Sequence, residues 1–197
     1  MTPPLHANTD ETSLRIADFA PEPAFPPLRW QVVNDTVMGG RSRSRHAIRD
    51  HGLHFSGTLN TNGGGFASLR SNRVNHSLAE FDHVRLRVKG DGRAYRFRLF
   101  LERDRASYQN EFTTRPDTWM VVELPIADFY ASWRGRRLNR AAPAPGDIRG
   151  VGFILADGID GDFHLVVDWI EFTRRVSNVT QASAKRMRLP AAGDHDA

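Results

Sequence analysis

Chemistry in this chain would have to come from its carboxylates and imidazoles. General acid–base catalysis needs two titratable groups facing each other across a substrate. Asp35, Asp91, Asp157 and Asp168 are the acids to consider, and nothing in their spacing brings any two of them together. Asp91 is explained by its turn and Asp35 by its loop. The eight His residues are scattered. His51 and His54 stand three apart at the entrance to a strand, where that spacing sends them to opposite faces and argues against zinc. Asp157-Gly158-Ile159-Asp160-Gly161-Asp162 offers carboxylates that calcium would accept, but without the EF-hand spacing. Asp and Gly regularly fill turns, so this segment reads as a hairpin turn between two strands. Asn62-Gly63-Gly64-Gly65-Phe66 is glycine-rich but leads into a strand, so the helix N-terminus that cradles phosphate is missing. There is no Cys, which removes disulfides, thiolate metal sites and a Cys nucleophile. No catalytic residue, metal ligand or cofactor is assigned.

Binding residues are easier to nominate. Trp30-Gln31-Val32-Val33 is a short apolar strand running into Asn34-Asp35-Thr36-Val37-Met38-Gly39-Gly40-Arg41-Ser42. The Gly-Gly pair permits positive φ or a close backbone approach, with positive φ expected at Gly40. Asn34 and Asp35 can hold the turn by bonding local amides. Two readings stand side by side: a turn that only closes a sandwich, or a shaped loop that binds. Asn34, Asp35, Met38, Gly39, Gly40 and Ser42 form this signature loop, with Met38 expected to plug the core. Gly64, Gly65, Phe66, Ser68 and Arg70 form a second glycine segment expected beside it.

The elements that must position these residues read as β. Period-two alternation marks strands at Leu53–Leu59, Phe66–Arg70, Val84–Val88, Tyr95–Leu101, Tyr108–Thr113, Trp119–Leu124, Val151–Ala156 and Phe163–Phe172. Short helical turns are expected near Pro125–Phe129 and Ala144–Ile148. Asp91-Gly92 between alternating runs is a two-residue hairpin signal. Direct pairing would set Val88 opposite Tyr95, Leu86 opposite Phe97 and Val84 opposite Leu99 on a core face. The other face would then hold Arg87 opposite Arg96 and Arg85 opposite Arg98. Like charges placed so are unfavourable. Either Glu111, Glu123, Asp168 and Glu171 on neighbouring strands neutralise them, or Arg85, Arg87, Arg96 and Arg98 form a basic face for an anionic ligand. Among aromatics, Trp30, Trp119 and Trp169 read as core or rim packing. Trp133 is the best exposed candidate for sugar stacking, followed by Tyr108 and Tyr130.

The ends differ from the middle. Residues 1–27, with six Pro, read as a loose arm that Leu14, Ile16 and Phe19 could anchor as an edge strand. Residues 175–197 read as a flexible basic tail, leaving a sandwich domain at 28–174. At 197 residues one sizeable core is expected. Net charge +4 is too small to imply nucleic acid. No apolar run approaches the about 20 residues of a membrane span. The first twenty residues lack a signal-peptide pattern, and Asp10, Glu11 and Asp18 disfavour a transit peptide, so a bacterial-type cytoplasmic protein is expected. Asn75-His76-Ser77 and Asn178-Val179-Thr180 fit the glycosylation pattern but carry no weight without a secretion signal.

Trp30, the run Asn34–Ser42, Phe55-Ser56-Gly57, Gly64–Arg70, Gly90–Tyr95, Trp119 with Glu123-Leu124-Pro125, Arg134-Gly135 and Gly152–Ile170 occur in one colinear order. Together they resemble the complex I intermediate-associated protein family over roughly residues 28–174. The resemblance implies an all-β jelly-roll sandwich like galactose-binding domains and some carbohydrate-binding modules. It also implies an assembly or binding role, with no catalytic residues to carry over. Three readings follow: a protein-binding assembly module, with respiratory-complex subunits as partners; a glycan or small-anion binder using Trp133, Tyr108 and the arginines; and an isomerase- or cyclase-type enzyme on a sandwich scaffold.

Overall fold

The computed structural model of the chain describes residues 12–20 and 27–175. Two antiparallel sheets close over one apolar core. The first sheet runs in the order Arg43–Arg49 (β3), Gly52–Leu59 (β4), Gly161–Arg174 (β13), His83–Lys89 (β6) and Trp119–Pro125 (β9). Thr12–Asp18 (β1) joins β13 beyond the end of β4. The second sheet runs Arg136–Arg137 (β11), Tyr130–Trp133 (β10), Ser107–Thr113 (β8), Ala94–Leu101 (β7), Ile148–Leu155 (β12), Ala67–Ser71 (β5) and Trp30–Asn34 (β2). This is the all-β jelly-roll sandwich that the resemblance implies. Short 3-10 turns lie at Asp35–Met38, Ile126–Asp128 and Pro145–Asp147, the last two where helical turns are expected.

Alternation explains which side chains are buried. Val84, Leu86 and Val88 on β6, and Tyr95, Phe97 and Leu99 on β7, are all fully inside. Burying each large apolar side chain contributes about 2 kcal/mol. The expected pairing of these two runs, however, is wrong. β6 pairs with β13 and β9, whereas β7 pairs with β8 and β12. Gly90–Arg93 carries the chain from one sheet to the other, so the six side chains meet across the core and not side by side. The charges agree with this outcome. Direct pairing would set Arg against Arg, while the observed register puts Arg85 opposite Glu123 and Arg96 opposite Glu111. The Asp157–Asp162 loop is likewise no hairpin, since it joins β12 to β13 in the other sheet.

All eight expected strands are present, the short apolar strand at Trp30–Val33 is β2, and four further strands go beyond these. β3 is a polar, largely exposed edge strand held by its pairing with β4, so it shows no apolar alternation. β10 and β11 are too short to show a period. β1 is the edge strand that Leu14, Ile16 and Phe19 suggest. Ile16 and Phe19 are buried, and Phe19 packs 6.4 Å from Trp30. Residues 12–20 are therefore part of the sandwich. The rest of the Pro-rich arm, the tail from residue 176 and Asn178-Val179-Thr180 lie outside the described residues.

Candidate functional site

The signature loop is built around a fully buried carboxylate. Asp35 follows β2 and opens the 3-10 turn Asp35–Met38, which Gly39 closes at φ 88°. Asp35 Oδ1 accepts a hydrogen bond from the Ser42 amide at 2.9 Å. Oδ2 accepts from Ser42 Oγ at 2.6 Å, from the Gly65 amide at 2.7 Å and from the Phe66 amide at 3.3 Å. Burial opposes the charge, but donation from Ser42, Gly65 and Phe66 outweighs it and holds the carboxyl below its usual value. One side chain thus ties the Asn34–Ser42 loop to the second glycine segment. Ser42 Oγ extends the tie by accepting from the Asn60 amide at 3.0 Å. Asn34 receives the Ser44 hydroxyl at 2.6 Å.

Two expectations about this loop need correction. Positive φ belongs to Gly39, while Gly40 is glycine for a steric reason. A Cβ at Gly40, or at Gly64, would overlap the Asp35 carboxylate. Met38 is no core plug. It is 63% exposed and its neighbour Val37 71%, because the tight turn beneath them is satisfied by Asp35 and leaves both pointing outward. The structure brings Asn34, Asp35, Gly39, Gly40, Ser42, Gly64, Gly65 and Phe66 together. Ser68 and Arg70 run away from them along β5: Ser68 donates to the Val33 carbonyl at 2.6 Å, and Arg70 reaches the outer face of the second sheet.

Two further loops share this end of the sandwich. The Thr61 amide donates to Asp160 Oδ1 at 2.7 Å, joining the second glycine segment to the Asp157–Asp162 loop. Arg93, on the crossover, grips Asp157 with Nε–Oδ2 at 2.9 Å and an Nη–Oδ1 contact at 2.7 Å. It also donates to the carbonyls of Ile159, Gly161 and Asp162. The carboxylate and carbonyls that a hard cation would use are thus engaged by a guanidinium. The hydrogen bonds to Asp157 keep Arg93 protonated and Asp157 ionised, against the burial of both. Asp91 accepts from Tyr95 Oη, the Arg93 amide and the His164 amide. Ile159, 59% exposed, stands at the apex of this loop.

The four arginines do not form one face. Arg85 and Arg87 lie outside the first sheet, while Arg96 and Arg98 lie outside the second. The acids named from the sequence neutralise three of them: Arg85 lies 3.6 Å from Glu171, Arg87 pairs with Asp168, and Arg96 meets Glu111 at 3.0 Å. Asp168 sits at a bulge in β13, which aims it at Arg87. Arg98 has no such acid among the described residues. The aromatic expectations divide. Tyr108 faces the core and is withdrawn as a contact residue, because it lies opposite Leu99. Trp133 is exposed, with Arg134 beside its ring. Trp119, read as core or rim packing, is at the rim, 39% exposed under Arg87 and Lys89.

One pair escaped the sequence reading altogether. His54 on β4 and His164 on β13 stack outside the first sheet with Nδ1 and Nε2 3.0 Å apart. Burial first, and nearby cationic groups second, lower the pKa of both rings. Alternation put each outside, since Leu53, Phe55, Phe163 and Leu165 are core. Only the strand pairing makes them neighbours.

Residues 18–167 match the profile of the family described as Complex I intermediate-associated protein 30. The chain belongs to this family. The mouse complex I intermediate-associated protein 30, a mitochondrial protein by name, is 27% identical over 167 residues, covering 72% of this chain and 51% of the relative. A probable counterpart in Caenorhabditis elegans is 30% identical over 122 residues, 58% of this chain and 36% of the relative. The chain therefore spans about half the length, or less, of these curated relatives. Both are named mitochondrial, and so is the Drosophila melanogaster relative, which overturns the expectation of a bacterial-type cytoplasmic protein. Among the described residues no helix is long and apolar enough to cross a membrane. A family 11 carbohydrate-binding module from Clostridium thermocellum, solved with a mixed-linked tetrasaccharide, shares the fold. Its TM-score is 0.57 at 14% identity, covering 81% of this chain and 94% of the module.

Proposed function

We propose that this member of the complex I intermediate-associated protein 30 family is a binding module that docks a protein partner through its locked loop end. The relatives' names extend the reading to assembly of respiratory complex I, with its subunits or assembly intermediates as partners. The observation that carries it is the exposure of Val37 and Met38 on a turn whose backbone a buried carboxylate holds. Contiguous exposed apolar surface marks contact sites, and Val37 and Met38 adjoin in one turn. A tip that is already ordered loses little entropy on binding. Ile159 on the adjoining loop widens the apolar rim.

The test is a V37D/M38D double variant in a pull-down from host lysate, read by mass spectrometry. Wild type is expected to recover respiratory-complex subunits, and the variant to lose them at an unchanged melting temperature. Equal recovery by a folded variant would sink the docking role of the loop.

A further inference from the structure

On the outer face of the second sheet, the strands flanking β12 hold two cations that no carboxylate among the described residues neutralises. Arg70 on β5 and Arg98 on β7 flank Gly152 on β12, each directly opposite it, so both side chains rise from the same face. Neighbouring strands lie about 4.8 Å apart, so the two Cα atoms are separated by about 10 Å. Phe100 leans over Gly152, and both guanidiniums rest against its ring, at 4.0 Å for Arg70 and 4.9 Å for Arg98. A Cβ at residue 152 would meet that ring and the Leu69 carbonyl, so the slot exists only over glycine. The acids nearby are committed elsewhere: Glu111 to Arg96, and Glu102 to Arg73 and Arg149.

The donors are arranged for an oxyanion. Arg98 points Nε and one Nη at a single oxygen, Ser107 Oγ, at 3.1 and 2.7 Å. The hydroxyl takes that edge and fixes the guanidinium, so the N–H groups of Arg98 with no partner among the described residues are the ones left for an oxyanion. Arg70 makes no hydrogen bond within the described residues and keeps all its N–H groups for a ligand. Its ring contact compensates only part of the charge. Burial and the charge of Arg70 pull the Arg98 guanidinium down to about 10, as expected of cations brought together without a counter-ion. The face is also recessed: Ser68, Ser107, Gln109 and Ser132 point outward, yet all are buried. A cavity of about 260 Å³ opens on the Arg70 side of the pair, lined by Arg70, Phe100 and Gly150 and, at its far side, by Arg73, Arg149 and Glu102; Arg98 does not line it.

We propose that Arg70 and Arg98 form a binding site for a small oxyanion, a free phosphate or carboxylate ligand held between the two guanidiniums above Phe100. The span between the two guanidiniums, set by the single strand that separates them, suits a small molecule, and the site lies away from the loop end proposed for protein docking. Calorimetric titration of the purified chain with inorganic phosphate, and separately with citrate, in low-salt buffer tests it. At least one anion is expected to saturate a single site. R70Q, at an exposed position, should weaken it about tenfold or more, the worth of a hydrogen bond to a charged group. R98K, which keeps the charge but loses the planar guanidinium that Ser107 orients, should also weaken it. R96Q, on the same face but paired with Glu111, and R87Q, on the other sheet, should bind like wild type. No saturable binding of either anion would overturn the site. So would equal affinity in R70Q, the mark of an adventitious ion, or equal losses in R70Q and R96Q, the mark of general surface charge. Tight binding of cellotetraose that R70Q leaves unchanged, with no anion binding, would instead make the groove a neutral-glycan site.

Discussion

Replacing Asp35 with Asn alters one atom and tests the lock directly. With the amide oxygen at the Oδ2 position, Ser42 Oγ, Gly65 and Phe66 keep an acceptor, but a neutral one. A hydrogen bond to a charged group is worth about 1.5–3 kcal/mol and a neutral one about 1. The NH2 then faces the Ser42 amide across 2.9 Å, two donors with no acceptor between them. An orphaned buried donor costs a further 1–3 kcal/mol or about that. Allowing for relaxation, D35N should lose about 3 kcal/mol, or about 6–12 °C in melting temperature for a domain of this size. Urea unfolding followed by circular dichroism reads this as a lower midpoint at unchanged slope.

The same variant isolates a pH effect. The folded Asp35 carboxyl is held below its usual 3.8. A depressed carboxyl contributes stability that is complete above the unfolded pKa and lost as pH falls through the folded one. The gap between wild type and D35N should stay constant from about pH 7 to 5 and shrink below 3.8. A D35N protein within about 1 kcal/mol of wild type at neutral pH, or a gap that does not shrink in acid, would refute the lock.

Other outcomes follow from the same contacts. Gly40→Val drives a side chain into the Asp35 carboxylate and should cost about 3 kcal/mol, whereas Gly39→Ala meets only its φ of 88° and should cost about 1; thermal melts giving the reverse order would contradict the assignment. Arg93→Ala strands Asp157 and three carbonyls in a largely buried site and should cost about 3–5 kcal/mol by chemical denaturation, while R87Q at an exposed pair should cost under about 1. For His54 and His164 the folded pKa values lie below the usual 6.5, so the folded state resists protonation. Their contribution is present above that pH and lost as pH falls through the folded values. Melts from pH 8 to 5 should show wild type losing more stability than H54Q/H164Q.

Much of the architecture was legible because alternation is local. Leu53, Phe55, Phe97, Leu99, Phe163 and Leu165 each announce an inward face through their neighbours along the chain, and each is buried. The Asn-Asp pair before Gly39-Gly40 likewise announces a shaped turn. β3 stayed hidden because an edge strand can be held by backbone pairing without an apolar stripe.

By itself the sequence determined the all-β class, the inward faces and the acids available to the arginines. The tertiary structure alone decided which strands pair. Period two names a face and not a neighbour, so β6 and β7 satisfy the same pattern whether paired in one sheet or opposed across the core. That choice separates Arg85 and Arg87 from Arg96 and Arg98, and stacks His54 on His164 from 110 positions away. It also brings Gly65 to Asp35 across 30 residues and leaves Arg70 and Arg98 side by side without an acid among the described residues. Such distances are closed by folding, and spacing along the chain carries no record of them.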